Sequence, residues 1–307
     1  MKAMKGLPRT SGVIAAALTP MAENLDADSR LLADHCGWLL NAGCSSIVVL
    51  GTTGEANSFT LREREELLGR LIDAGVPPSA LIVGTGCCAV ADTARLTKHA
   101  ARSGITRVLM LPPFYYKGVS DDGIFEAFAC TIEALGNSCP QIFLYQIPQL
   151  SGVEFSFDLI DRLLEEYPGA VAGIKDSAGD WPKTKALCAR FGRRISVLVG
   201  SERFLLPALA AGAAGCVTAT ANATAPAIAR LYERRDDPAA AQLQAEVAKW
   251  RTAIESFPMI PALKEIVATR SGIDRWRVVR APLSPLSAST ADELRRRLDA
   301  SMPRSGS

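Results

Sequence analysis

Eight short runs rich in Val, Ile and Leu recur along the chain, at residues 13–18, 46–50, 80–84, 107–111, 141–145, 171–175, 195–199 and 215–218. None alternates cleanly with polar residues, so each reads as a strand covered on both faces, the pattern of a parallel sheet. The stretches between them have helical periodicity and helix start signals. Asp28 precedes a Leu31/Leu32/His35/Leu39 stripe, and Thr60-Leu61-Arg62-Glu63 has the form of a capping box. Ser120, followed by Asp121 and Asp122, puts acceptors and negative charge where the free N–H groups of a helix start need them. Helices near 90–103, 156–167 and 180–191 complete the alternation. Eight strand–helix repeats predict an α/β chain closed into a (β/α)8 TIM barrel over residues 10–225. An open doubly wound sheet is the competing arrangement. It is disfavoured because no G-x-G-x-x-G follows the first run, and Gly84-Thr85-Gly86 lacks the third glycine.

After residue 225 the pattern changes. Segments 239–254, 261–271 and 290–301 read as helices with no strands between them, which predicts a C-terminal helical extension over 226–303 packed on the barrel. Glu293-Leu294-Arg295-Arg296-Arg297 within it reads as a solvated helix face. Residues 204–229 carry no charge and are long enough to span a bilayer. They are mostly Ala, Gly and Thr, however, and Pro207, Asn222 and Pro226 interrupt them, so a buried helix, strand and helix account for them better. Residues 1–9 contain no signal-peptide apolar run. A soluble, cytoplasmic protein without membrane association is expected.

Charge and composition narrow the partners. The 34 basic and 32 acidic side chains leave a net charge of +2, and no basic cluster offers a face to nucleic acid. The eight cysteines show no C-x-x-C pair and no zinc spacing, and the two histidines, His35 and His99, lie far apart. No metal site is expected, and the cysteines read as buried, reduced thiols of a cytosolic protein.

In a barrel of this kind the active site lies at the C-terminal strand ends. Unusual polar residues collect at those ends: Gly51-Thr52-Thr53-Gly54-Glu55, Pro112-Pro113-Phe114-Tyr115-Tyr116-Lys117, Tyr145-Gln146-Ile147-Pro148 and Gly173-Ile174-Lys175-Asp176. Lys175 closes an apolar run. An amine buried there loses the hydration that favours its ammonium form, and the free amine is the nucleophile that forms a Schiff base with a carbonyl. The plainer alternative is a lysine that reaches out to solvent from a strand end. Tyr145 ends the run 142–144, where a phenol could move a proton to or from a substrate oxygen or could simply be buried and satisfied. Thr52 and Thr53, between two glycines, offer hydroxyls and backbone N–H groups suited to a carboxylate, or form only a tight turn.

The ordered set Gly51-Thr52-Thr53-Gly54-Glu55, Tyr145-x-x-Pro148 and Gly173-Ile174-Lys175-Asp176 resembles the dihydrodipicolinate synthase/N-acetylneuraminate lyase superfamily of class I aldolases. The similarity runs from about Gly12 to the C-terminal helices. The resemblance implies a (β/α)8 barrel with a helical tail, no metal or other cofactor, and a homotetramer built as a dimer of dimers. It implies that Lys175 forms an imine with pyruvate or another 2-oxo acid and that Tyr145, bonded to Thr52, is the acid/base. Thr53 and the Gly54 N–H would hold the substrate carboxylate, and Val217 would flank the pyruvyl group. A tyrosine from a neighbouring subunit completes the relay in many members. Tyr115 matches that position best by spacing, with Tyr116 as the alternative.

Two departures from the family patterns bear on substrate. Synthases carry Tyr-Asn-x-Pro-x-Arg-x-Gly, whose arginine binds the carboxylate of aspartate semialdehyde. Here the stretch is Tyr145-Gln146-Ile147-Pro148-Gln149-Leu150-Ser151-Gly152, with Leu150 at the arginine position. Loss of such charged hydrogen bonds costs about 1.5–3 kcal/mol. Sialate lyases carry a Gly-Tyr-Asp-Glu-like stretch after strand seven that holds the polyol tail. Here Gly200-Ser201-Glu202-Arg203 keeps only the acid Glu202. Pro-x-Leu-Ser-Gly and Pro113-Phe114-Tyr115-Tyr116-x-x-x-Ser120 are most similar to 2-oxo-3-deoxy sugar-acid aldolases. The expected function is therefore a Schiff-base aldolase or lyase that cleaves or forms a 2-oxo-3-deoxy sugar acid, with pyruvate as one partner. Dihydrodipicolinate synthase and a catalytically silent 2-oxo-acid binding protein are the alternatives.

Overall fold

The eight apolar runs become eight parallel strands hydrogen-bonded in chain order, with the last paired to the first. In the computed structural model, which describes residues 9–301, the barrel runs β1 (Gly12–Ala16), α1 (Ser29–Asn41), β2 (Ser46–Val49), α2 (Leu61–Asp73), β3 (Leu81–Gly84), α3 (Val90–Arg102), β4 (Arg107–Met110) and α4 (Asp121–Leu135). It continues through β5 (Gln141–Gln146), α5 (Pro148–Ser151), α6 (Phe157–Glu166), β6 (Val171–Asp176), α7 (Trp181–Phe191), β7 (Ser196–Val199), α8 (Leu205–Ala210), β8 (Gly215–Thr218) and α9 (Ala221–Glu233). The extension is α10 (Ala240–Glu255), α11 (Met259–Ser271) and α12 (Ala288–Ser301). Residues 1–8, in the N-terminal stretch, and positions 302 and 303 of the expected extension lie outside the described residues.

Strand alternation divides the apolar side chains into two layers. One set, including Ile14, Val48, Ile82, Leu109, Phe143 and Leu198, fills the barrel interior, while the other packs outward against the helices. That is why no strand shows a polar face in the sequence. Closure needs Gly215, because a Cβ there would stand 2.0 Å from the Gly12 carbonyl oxygen on the neighbouring strand.

The helix starts follow the local chemistry. Asp28 accepts from the Leu31 N–H, Ser120 accepts from the Gly123 N–H, and Thr60 with Glu63 makes both bonds of the capping box. The uncharged stretch 204–229 resolves into α8, β8 and the start of α9, and no helix among the described residues is long and apolar enough to cross a membrane. The border expected at 225/226 falls inside α9 instead. Thr224 leaves the helical region (φ −126°, ψ 22°) just before Pro226, so the helix kinks and resumes rather than ending. The extension packs Leu263, Val267, Trp276 and Leu294 against Leu18, beyond the end of β1. Leu294 is buried while Arg295, Arg296 and Arg297 face outward beside Asp292 and Glu293, as a solvated face requires.

Candidate active site

Two pairs of register partners end β5 and β6: Tyr145 lies opposite Lys175, and Gln146 opposite Asp176. Alternation turns the first pair into the barrel and the second outward. Lys175 is 5% exposed, and its Nζ lies 4.1 Å from the centre of the Tyr145 ring. It does not reach out to solvent. The Tyr145 hydroxyl donates to Thr52 Oγ1 at 3.4 Å.

The outward pair braces the inward one. Gln146 Nε2 donates to Asp176 Oδ1 (3.1 Å), and Gln146 Oε1 accepts from the Phe155 N–H (3.0 Å). Asp176 also accepts from the Ala178 N–H (3.1 Å) and the Thr184 hydroxyl (2.5 Å). These buried bonds fix both strand ends immediately beside Tyr145 and Lys175. Sequence reasoning gave Gln146 and Asp176 no role. The available signal was a pair of polar residues closing two apolar strands at the same level.

The loop after β2 is bracketed by two non-glycine residues with left-handed backbone, Leu50 (φ 55°) and Glu55 (φ 57°). Such residues cost about 1–3 kcal/mol each and persist only where the surroundings hold them. Gly84 allows β3 to pass under Leu50, since a Cβ on it would sit 2.1 Å from the Leu50 carbonyl oxygen. Glu55 is held from the other side by a buried ion pair with Lys264 of α11, and its Oε2 accepts from the Arg280 N–H at 3.0 Å. Burial pulls the Lys264 ammonium toward deprotonation, and the Glu55 carboxylate opposes that shift. Lys264 also donates to the Val278 carbonyl (2.6 Å), and Arg280 reaches the Ser58 and Leu25 carbonyls, both at 2.8 Å. Residues 278–283 are thereby strapped to the β2 loop.

The strap shapes a cavity of about 340 Å3 at the C-terminal end of the barrel. Thr52, Thr53, Tyr145, Lys175 and Val217 all line it, so five of the expected site residues come together. The extension supplies Met259, Ile260 and Leu283 to the same wall, a contribution the sequence reading assigned only to packing.

The other three expected residues stand apart. Gly54 does not line the cavity, and its carbonyl accepts from the Thr19 hydroxyl at 2.9 Å. Glu202 is fully buried outside the lining. The Thr218 and Thr220 hydroxyls donate to its two carboxylate oxygens, and Arg251 pairs with it at 3.2 Å. Tyr115 and Tyr116 are each 73% exposed, stacked edge-on with ring centres 5.3 Å apart, and neither lines the cavity.

The thiols need one correction. All eight are free, but only Cys36, Cys44, Cys188 and Cys216 are buried; Cys88 and Cys130 are exposed because they sit on outward-facing loop and helix positions. Burial pushes the Cys36 and Cys44 thiols up to about 12. Among the described residues, no group of three or more His, Cys, Asp or Glu side chains is arranged to hold a metal ion.

An inward lysine at the mouth of a (β/α)8 barrel, against a tyrosine whose hydroxyl meets a threonine, sets an amine and a phenol side by side in one cavity, and the family that the chain matches is one of carbon–carbon lyases of the class I aldolase type. Residues 9–301 match the dihydrodipicolinate synthetase family, and the chain belongs to that family. It is 34% identical over 288 residues to an uncharacterized DapA-like lyase of Chloroflexus aurantiacus, covering 92% of this chain and 94% of that protein. The crystal structure of dihydrodipicolinate synthase from Agrobacterium tumefaciens superposes with a TM-score of 0.89 at 31% identity, over 96% of this chain and 100% of that one. The N-acetylneuraminate lyase of Proteus mirabilis shares the fold, with a TM-score of 0.84 at 24% identity over 96% and 99% of the two chains.

Proposed function

We propose that this protein makes or breaks the C3–C4 bond of a 4-hydroxy-2-oxo acid, the 2-oxo-3-deoxy acid class, through an imine between Lys175 and pyruvate. One observation carries the reading: the Lys175 amine, the Tyr145 ring and hydroxyl, and Thr52 meet inside one cavity. The Lys175 nitrogen attacks the C2 ketone and water leaves. The protonated imine then accepts the electron pair of the C3–C4 bond as that bond breaks. The proton of the C4 hydroxyl passes to Tyr145 and leaves an aldehyde, and the enamine regains a proton at C3 before water releases pyruvate. Condensation runs the same steps in reverse. Thr53, which lines the cavity, is the proposed carboxylate holder, with the N–H of Gly54 reaching in from just behind the lining, and Val217 is the proposed residue flanking the pyruvyl group. No cofactor is invoked, because the imine itself is the electron sink.

The neighbouring subunit's Tyr115, or Tyr116, is the proposed third member of the proton relay. Both rings are 73% exposed on this chain and outside its own cavity, which supports assembly with a second copy and, by family pattern, a homotetramer. Eight free thiols suit a cytoplasmic setting.

Dihydrodipicolinate synthase is the second reading, favoured by the 31% identity to the Agrobacterium tumefaciens enzyme. Against it, the position where a synthase places an arginine is Leu150, which brings no positive charge to the cavity wall. The proposal is tested by proton exchange. Pyruvate in deuterated water should lose its methyl proton signal in the presence of the protein, and the Lys175→Ala variant should abolish the exchange. A protein that binds pyruvate without exchanging those protons would be a silent binder.

A further inference from the structure

We infer that the aldehyde partner carries an apolar tail, aliphatic or aromatic, rather than a sugar polyol or a second carboxylate. The inference rests on the imine reading and names the substrate class of the same cavity. Besides the residues assigned to the pyruvyl group, the lining includes five large apolar side chains, Ile147, Leu150, Met259, Ile260 and Leu283. Among the described residues that line the cavity, Lys175 is the one charged side chain, and it is committed to the imine. Thr52, Thr53 and Tyr145 serve the pyruvyl group, which leaves the Ser177 side chain for a polyol. Glu202, the acid expected to hold a polyol, has both oxygens engaged by Thr218, Thr220 and Arg251 outside the lining.

Leu283 follows the segment that Lys264, Glu55 and Arg280 strap to the β2 loop, so the chain leading to it is anchored by partly buried polar contacts at Val278 and Arg280. Leu150 is 63% exposed although it is a large apolar side chain at the rim. A tail of matching chemistry would cover it. The cavity volume, about 340 Å3, is at the lower end of the range for small-molecule sites (about 300–1,000 Å3), room for a pyruvyl group and a compact tail. An apolar wall offers a hydroxyl or carboxylate nothing in exchange for its water. One methylene gained or lost in such a wall changes kcat/KM by about 10–200-fold.

The reaction is the redox-neutral one already written: the C3–C4 bond forms between the enamine and the aldehyde carbon, and Tyr145 supplies the proton to the new C4 oxygen. The test compares isovaleraldehyde and benzaldehyde with D-glyceraldehyde and succinic semialdehyde as partners for pyruvate, following condensation product by mass spectrometry. Pyruvate methyl exchange is measured alongside. The expected result is kcat/KM at least about 10-fold higher for the apolar aldehydes. Leu150→Arg, at an exposed position, should move the ratio at least about 10-fold toward succinic semialdehyde. Methyl exchange with a preference for glyceraldehyde or succinic semialdehyde would overturn the apolar tail and leave the imine intact. An unchanged ratio in Leu150→Arg would likewise overturn it. Absence of exchange would remove the imine reading and this inference with it.

Discussion

Tyr145 and Lys175 are register partners on adjacent strands, and the lysine nitrogen lies 4.1 Å from the centre of the tyrosine ring. The ring therefore fixes where the amine sits, while the hydroxyl, bonded to Thr52 at 3.4 Å, is free to serve as proton carrier. Tyr145→Phe separates the two roles. It should lower kcat for aldehyde condensation by about 10^2–10^4-fold, the usual contribution of a positioned acid/base, while imine formation at Lys175 persists. Single-turnover trapping alongside steady-state rates checks the split.

The Glu55–Lys264 pair is buried at the joint between the β2 loop and α11. Removing one member strands a charge, which costs about 3–5 kcal/mol. Lys264→Met should therefore lower the denaturation midpoint clearly, and it should also raise KM for the aldehyde because the Leu283 strap loses its bond to Val278. Chemical denaturation and aldehyde titration read the two effects separately.

His35 gives a pH signature independent of catalysis. Burial drives its pKa from 6.5 down to about 4, with the Arg270 charge adding to the shift and the bond to Asn222 opposing it. Between those values the unfolded chain holds a proton that the folded chain does not, so stability falls as pH drops from about 6.5 to about 4. The loss attributable to this one group is about 3 kcal/mol. Urea midpoints at pH 7 and pH 4.5, compared between wild type and His35→Gln, should show a smaller acid loss in the variant.

Much of this arrangement was legible in the sequence because it depends on local rules. Parallel strands buried on both faces announce themselves as unbroken Val/Ile/Leu runs, and the caps at Asp28, Thr60 and Ser120 obey short-range hydrogen bonding. Lys175, Tyr145 and Thr52 stood out as polar ends of apolar strands. What stayed hidden depends on distant pairing. Nothing near Glu55 signals that its partner is Lys264, more than two hundred residues on, or that Leu283 returns to line the mouth. Glu202 looked available for substrate because the hydroxyls that occupy it, from Thr218 and Thr220, come from the next strand end. The kink at Thr224 likewise let α9 run through Pro226, where the sequence suggested a border.

Tyr115 and Tyr116 lead to a prediction about assembly. If a neighbouring subunit supplies the relay tyrosine, Tyr115→Phe and Lys175→Ala should each be nearly inactive alone yet regain activity when co-refolded as mixed oligomers. One site of each exchanging pair would then carry neither defect. Recovery with Tyr115→Phe and none with Tyr116→Phe, the latter being active by itself, identifies Tyr115. Full activity in both single tyrosine variants would remove the relay.

The most direct measurement is covalent capture of the substrate. The protein is incubated with pyruvate, reduced with borohydride, digested and sequenced by mass spectrometry. A reduced pyruvyl group on Lys175, absent without pyruvate, is the predicted result. An unmodified Lys175, or modification spread over exposed lysines in its place, would contradict the account.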